Sequence, residues 1–188
     1  LLWAEGAPWL SPRRFLVVLA YLLPAVTLAL LLFAHLLGWS PAAWTLPFVA
    51  ELAVVAAVRK EADRVFGAVS STQGAFLRYG PMFELLERLE LPSALLGDLR
   101  RNLLSSSVTP SVAMRRFERI VGWFDLRHNG LIHPFANAFL LWDAHCLLRL
   151  EAWQKSAGRA ARAWFETLGE VEALSAFAGL AFDEAAFT

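Results

Sequence analysis

The stretch FLVVLAYLLPAVTLALLLFAHLL, Phe15 to Leu37, and its neighbour AAWTLPFVAELAVVAAV, Ala42 to Val58, decide how this chain folds. The first runs for about 23 residues without a charge, enough at about 1.5 Å per residue to cross a hydrocarbon core of about 30 Å. The second is shorter, roughly 17 residues, and carries Glu51, whose burial at mid-bilayer costs on the order of 2.5 to 3.5 kcal/mol. Pairing with the first helix offsets that cost, because the carboxyl then faces Thr27 or His35 instead of lipid. Gly38-Trp39-Ser40-Pro41 leaves room only for a tight turn. The pattern predicts a two-helix transmembrane hairpin, with spans at about 15–37 and 42–58 inside an amino-terminal unit of residues 1–60.

Arg13-Arg14 precede the hairpin and Arg59-Lys60 follow it, while the turn carries no Lys or Arg. The positive-inside rule then places both ends in the cytoplasm and Trp39 and Trp44 at the far interface, where indoles are favoured. A buried helical pair in a soluble protein is the competing reading, supported by Pro24, Pro47 and Glu51. An uncharged run of this length disfavours it in a chain of 188 residues. A cleaved signal peptide fits worse, since the run is too long and a second apolar segment follows at once.

Averages over the chain, 57% hydrophobic with net charge +0, conceal two materials. Up to about Val58 nearly everything is apolar; beyond it Arg, Glu and Asp recur at helical intervals, as in a soluble domain large enough for one core. The lone Cys146 excludes an internal disulfide and suits a reducing compartment and a buried apolar position. A first residue of Leu1 and an abrupt end at Thr188 suggest a piece of a longer protein.

Residues 61–188 show no alternating strand pattern; apolar residues step by three and four, which predicts an all-α domain. A helix over Arg59 to Leu77, holding Val65, Val69 and Phe76, is expected to end at Gly80-Pro81. Pro81 to Glu90 forms the next, with Glu84 and Arg88 paired at i,i+4, and Pro92 starts another that reaches about Leu104. The serine-rich Ser105 to Ser111 is a loop. Ala113, Phe117, Ile120, Val121 and Phe124 share one helical face until Asn129-Gly130 breaks it. The longest helix is expected from near Pro134 to Ala157, with Phe135, Phe139, Trp142, Cys146, Leu150 and Trp153 as a packing seam and Gly158 closing it. A last segment from Ala163 to Ala181 follows, whose small residues predict very close packing.

Chemistry-bearing motifs are scarce. The lysines, Lys60 and Lys155, do not belong to a G-x-x-x-x-G-K-[ST] loop, and no G-x-G-x-x-G, G-x-S-x-G or H-E-x-x-H occurs. His145 and Cys146 are adjacent and so point about 100° apart on a helix, a poor start for a metal site. His133 before Pro134 is expected to shape a helix start, and His145 to sit at a packing edge. Nothing in the pattern brings Asp143 together with Glu170 or Glu172 as a catalytic pair. No catalytic, cofactor-binding or metal-binding residue is assigned. Arg100, Arg101, Arg115, Arg116 and Arg119, with Arg127 nearby, form the one basic cluster that suits phosphates of nucleic acid or lipid. Interleaved Asp98, Glu118 and Asp125 also allow an ordinary solvated face.

Two segments resemble a known family. Asp125-Leu126-Arg127-His128-Asn129-Gly130 leading into Asn137-Ala138-Phe139-Leu140-Leu141-Trp142-Asp143-Ala144-His145 is similar to the long core helix of MutS relatives. Leu168-Gly169-Glu170-Val171-Glu172-Ala173-Leu174-Ser175-Ala176-Phe177-Ala178 resembles the E-[LV]-[DE]-[AV]-L-x-[SA]-[FL]-A stretch that precedes their ATPase domain, with Glu172 where Asp is commoner. The hairpin agrees with the membrane-attached bacterial members of the MutS DNA mismatch repair family. The resemblance implies a core or lever module, itself non-catalytic, joined to a P-loop ATPase after Thr188 that takes ATP and Mg. It further implies a bacterial inner-membrane location, possible contact with duplex DNA and a homodimer formed through the ATPase domain. A hairpin stands where a mismatch-reading domain would be, which removes mismatch recognition from the expectation. A helical membrane adaptor or sensor that binds a protein partner through the Phe135 to Trp153 seam is the alternative.

Overall fold

The computed structural model describes all residues except 1, 39, 41, 71–72, 90–92 and 184–188, and the backbone alone at residues 2, 70, 73–78 and 125. Among the described residues the chain is helical, without a strand, as the periodicity predicts. Trp39, Pro41, Pro92 and the Phe76 side chain, to which the sequence assigned roles, lie outside this description.

After a short α1 (Leu2–Glu5), α2 (Arg14–Leu37) and α3 (Ala42–Ser70) form the hairpin. Gly38 turns the chain with φ +63°, a left-handed conformation that glycine adopts without a Cβ clash. Ala20, Pro24 and Thr27 are buried on the inward face of α2, and Glu51, Val54 and Val58 on that of α3. Pro24 and Pro47 stand within these helices. Both helices are long and apolar enough to cross a bilayer. Leu16, Leu19, Leu23 and Val55 pack beside these against the core, but many of the other apolar side chains point outward, as Phe15 (73% exposed) and Leu46 (82% exposed) do. That outward face separates them from the buried pair of a soluble core, whose apolar side chains would be covered.

The α3 helix passes the expected boundary at residue 60 without a break and supplies Ala62, Val65, Phe66 and Val69 to the core of the following bundle. That bundle comprises α4 (Gln73–Arg88), α5 (Ala94–Leu103), α6 (Pro110–Gly122), a 3₁₀ turn (Trp123–His128), α7 (Ile132–Leu140), α8 (Trp142–Trp153), a π turn (Gln154–Gly158) and α9 (Arg159–Asp183). Trp153 and Trp164 lie at its centre, and the Trp153 indole donates to the Ala113 carbonyl at 2.8 Å. The carboxylate of Glu87 caps α6 from outside, accepting from the Ser111 amide at 2.7 Å and its hydroxyl at 2.6 Å.

Several boundaries differ from the sequence reading. Gly80-Pro81 does not end a helix: α4 runs through it, because packing on α6 outweighs the cost of an interior proline, about 3 kcal/mol. The helix expected from Pro134 to Ala157 is two, divided at Leu141, which is fully buried with φ +48°. The seam therefore splits: Cys146, Leu150 and Trp153 enter the core, while Phe135 faces outward, 68% exposed. Gly158 closes nothing. It belongs to the π turn that passes straight into α9, and a Cβ there would stand 2.1 Å from the Ala4 carbonyl oxygen. Residues 2–13, grouped with the hairpin by sequence, instead lie across this turn.

Candidate functional site

Four places in the fold concentrate polar chemistry. Within the hairpin, Glu51 is fully buried and faces Thr27, as the sequence suggested, yet neither carboxylate oxygen nor the Thr27 hydroxyl reaches hydrogen-bonding geometry. This is the one carboxyl inside the two apolar spans.

The second place is the amino-terminal strap. Glu151, buried at the end of α8, accepts three successive backbone amides, Trp9 at 2.8 Å, Leu10 at 2.6 Å and Ser11 at 2.6 Å. Such a run of N–H groups around one carboxylate resembles a helix N-terminus closing on an anion. One turn later the Gln154 amide donates to the carbonyls of Trp3 and Gly6, both at 2.7 Å. Trp3 stacks on Trp153, and Glu5 pairs with Arg162, which holds the Glu5 carboxyl below its ordinary range. The strap thereby joins the base of the hairpin to the π turn and to the start of α9.

The third place is a polar junction on Asp143. One carboxylate oxygen meets the His133 ring at 3.0 Å; the other accepts from Arg127 at 3.3 Å and from the Asn137 amide at 3.2 Å. Asn137 returns the bond by accepting the Asp143 backbone N–H at 3.0 Å, and Arg127 also reaches Asp63 at 2.6 Å. This network satisfies the buried acid from α7, α8 and the 3₁₀ turn and holds the left-handed Leu141 link in place. It leaves no nucleophile beside the His133 and Asp143 pair among the described residues. Burial, with the Asp143 charge nearby, pushes the neighbouring Cys146 thiol up to about 12, so that thiol is inert. Asp143 is not brought together with Glu170 or Glu172, which lie on the exposed part of α9. The start of α7 is held by Asn129, whose side chain accepts from the Leu131 and Ile132 amides, while the His133 ring is directed to Asp143 on α8. His145 packs edge-on against Tyr21 of α2.

The fourth place concerns the arginines, and the structure divides them. Arg100 donates to the Glu87 carbonyl at 2.9 Å, Arg101 pairs with Asp98, and Arg115 reaches Glu84 at 3.4 Å. Arg116 and Arg119 turn the other way, into a cleft of about 540 Å³ that they share with Trp123 and Arg149. Sequence reading missed Arg149; its position seven residues after Trp142, two helical turns along α8, was the available signal. Among the described residues, no group of three or more His, Cys, Asp or Glu side chains is arranged to hold a metal ion.

An apolar surface continues the outer face of the hairpin. Ile132, Phe135, Ala136, Phe139 and Leu140 share one face of α7, whose opposite face carries His133 and Asn137. Phe139 packs on Phe48 of α3 with centroids 4.7 Å apart and planes tilted by 31°, and Leu28 of α2 lines the same groove. A second exposed apolar feature is the far half of α9. Ala161, Trp164, Thr167 and Leu168 are buried at its base, but Phe177, Leu180 and Phe182 are uncovered, so the very close packing expected of its small residues is absent from the far half, which no described element covers. No family model matches the chain, and no curated protein or solved structure is significantly similar to it.

Proposed function

We propose that this chain is a non-catalytic, membrane-anchored helical module whose α9 serves as a lever arm. The observation that carries the reading is the division of α9. Its base is locked into the bundle and strapped to the hairpin, with Val171 still against the core, while the part after it, about 18 Å long, leaves the bundle. A rigid arm fixed at one end to an anchor transmits displacement as a rigid body. The same residues, 168 to 178, carry the MutS-like pattern, which gives the arm a P-loop ATPase as its counterpart, with ATP and Mg as that domain's ligands, duplex DNA as a partner and a homodimer made through that domain. The uncovered Phe177, Leu180 and Phe182 favour a second reading, an adaptor whose arm docks a partner protein.

The anchor is read as a hairpin in the bacterial inner membrane with both ends cytoplasmic. Basic residues at both ends support this orientation. So does the strap, since residues before α2 and residues after α3 pack together on one side. The apolar face of α7 packs alongside the hairpin, beside Phe48 and Leu28.

Two experiments test the proposal. Ser40→Cys in cells is expected to react with an impermeant thiol reagent from outside, against a silent background because Cys146 is buried with its thiol at about 12. Labelling only after lysis refutes the orientation. ATP hydrolysis by the full gene product in membranes, with and without duplex DNA, tests the lever. Stimulation by DNA supports DNA coupling, hydrolysis indifferent to DNA moves the partner elsewhere, and no hydrolysis refutes the ATPase reading in favour of the adaptor.

A further inference from the structure

The cleft between α6 and α8 is built from like charges. Arg116, Arg119 and Arg149 line it together with Ile120, Trp123 and Trp153, and no Asp or Glu stands among its lining residues. The chain as a whole holds 17 basic and 17 acidic residues, and elsewhere on the bundle Arg64, Arg88, Arg101, Arg115, Arg127 and Arg162 each meet a carboxylate. Three guanidinium groups in one concavity without a counter-charge repel one another, and an anion between them relieves that repulsion.

The walls are rigid. Arg149 lies over the Trp123 ring, 3.6 Å from its centroid, and Trp123 is stacked on Trp142 with centroids 5.0 Å apart and planes 15° from parallel. The Trp142 indole further donates to the Trp123 carbonyl at 3.2 Å. Arg119 rests by its Nε on the Arg115 carbonyl at 3.5 Å, so its remaining donors are free to reach into the cleft. Arg116 makes no hydrogen bond or ion pair with any described residue. Volume, an aromatic wall and a few convergent charged donors are the ordinary features of a ligand pocket.

We propose that this cleft binds a phosphate-bearing ligand, with the three guanidinium groups on the phosphate oxygens and Trp123 and Ile120 against its less polar part. Planar guanidinium forks match phosphate oxygens two at a time, which a lysine cluster does not. Two sources supply this chemistry, a soluble phosphate and an anionic lipid headgroup. The headgroup source rests on the membrane reading above: Arg149 of the cleft stands two residues before Glu151, which holds the Trp9, Leu10 and Ser11 amides just ahead of α2, so this part of α8 lies beside the base of the hairpin.

The test uses the full chain. In detergent, calorimetric titration with sodium pyrophosphate is expected to give saturable binding, weakened roughly tenfold by R116Q and by R149Q and further by both together. R149K, which keeps the charge but loses the guanidinium fork, is expected to bind more weakly than the wild type and more tightly than R149Q. In nanodiscs of phosphatidylcholine doped with phosphatidic acid, native mass spectrometry is expected to show retained phosphatidic acid that the double variant loses. Pyrophosphate binding supports the site whatever the hairpin does, because that arm contains no bilayer. Retention of phosphatidic acid without a pyrophosphate response assigns the headgroup source. Saturable binding in neither arm, or equal binding in the arginine variants, overturns the proposal.

Discussion

Replacing Glu151 by Ala removes the acceptor on which the strap is hung. Three backbone amides lose a charged partner, and hydrogen bonds to a charged group contribute about 1.5 to 3 kcal/mol each. The full sum does not apply, because the Trp9 and Ser11 amides are only partly buried and water can satisfy them once the strap lifts. The Leu10 amide is buried and has no such recourse, and the three backbone groups were held by one side chain. An overall loss of about 3 to 5 kcal/mol is expected. The loss should be local, since Gln154 and the Trp3 ring still hold the first residues and the core around Trp153 and Trp164 is untouched. Hydrogen exchange reads it directly: protection at the amides of Trp9, Leu10 and Ser11 should fall by about a hundredfold to a few thousandfold, at about 1.4 kcal/mol per tenfold, while the amides of α6 and α8 keep theirs. Glu151→Gln, which keeps one acceptor oxygen, should lose less, about 1 to 2 kcal/mol. Unchanged protection of the three amides in Glu151→Ala would refute the assignment of Glu151 as the strap's anchor.

Further outcomes follow from single contacts. Gly158→Ala puts a methyl 2.1 Å from a backbone oxygen that no side-chain rotation can clear, so the strap must shift at a cost of about 1 to 3 kcal/mol; faster proteolysis within residues 2–13 is the expected sign, and wild-type resistance would contradict it. Burial holds the His145 pKa below its ordinary value of 6.5, so on acidification the unfolded chain takes up the proton first. The His145 contribution is therefore intact above about pH 6.5 and declines as pH falls through the lowered value; a denaturation series from about pH 7 to about pH 5 should show this slope, and His145→Gln should remove it. Glu51→Leu replaces a buried carboxyl lacking a hydrogen bond by a side chain that suits lipid, and should favour insertion of the second span by about 3 kcal/mol in a translocon insertion assay; poorer insertion would show that Glu51 has a partner.

Which parts of this were legible depends on the range of the interactions involved. The hairpin was, because bilayer thickness and the absence of charge act on consecutive residues, and the helical bundle was, because its apolar residues step by three and four. The break at Leu141 was not. A leucine carries no turn signal, and its left-handed backbone is held by Asn137 bonding to the Asp143 amide and by the Arg127 and His133 contacts to the same acid. Gly158 looked like a helix terminator because glycine usually serves so; its real constraint is a carbonyl from residue 4, far away in sequence. Pro81 gave a stop signal that packing of α4 on α6 overrode. Of the five arginines named from sequence, Arg116 and Arg119 share a cleft, whereas Arg100, Arg101 and Arg115 are occupied by neighbours on α4 and α5.

The sequence by itself determined that the chain is helical, that two of its helices suit a bilayer and that it lacks the local motifs of a nucleotide or metal site, because each of these depends on residue type at short spacing. Only the tertiary structure decided that residues 2–13 belong to the bundle rather than the hairpin, that Glu151 and Gln154 bind them, and that Arg149 joins Arg116 and Arg119. Those facts depend on side chains separated by tens of residues to more than a hundred, whose meeting is fixed by how the helices pack rather than by any pattern along the chain.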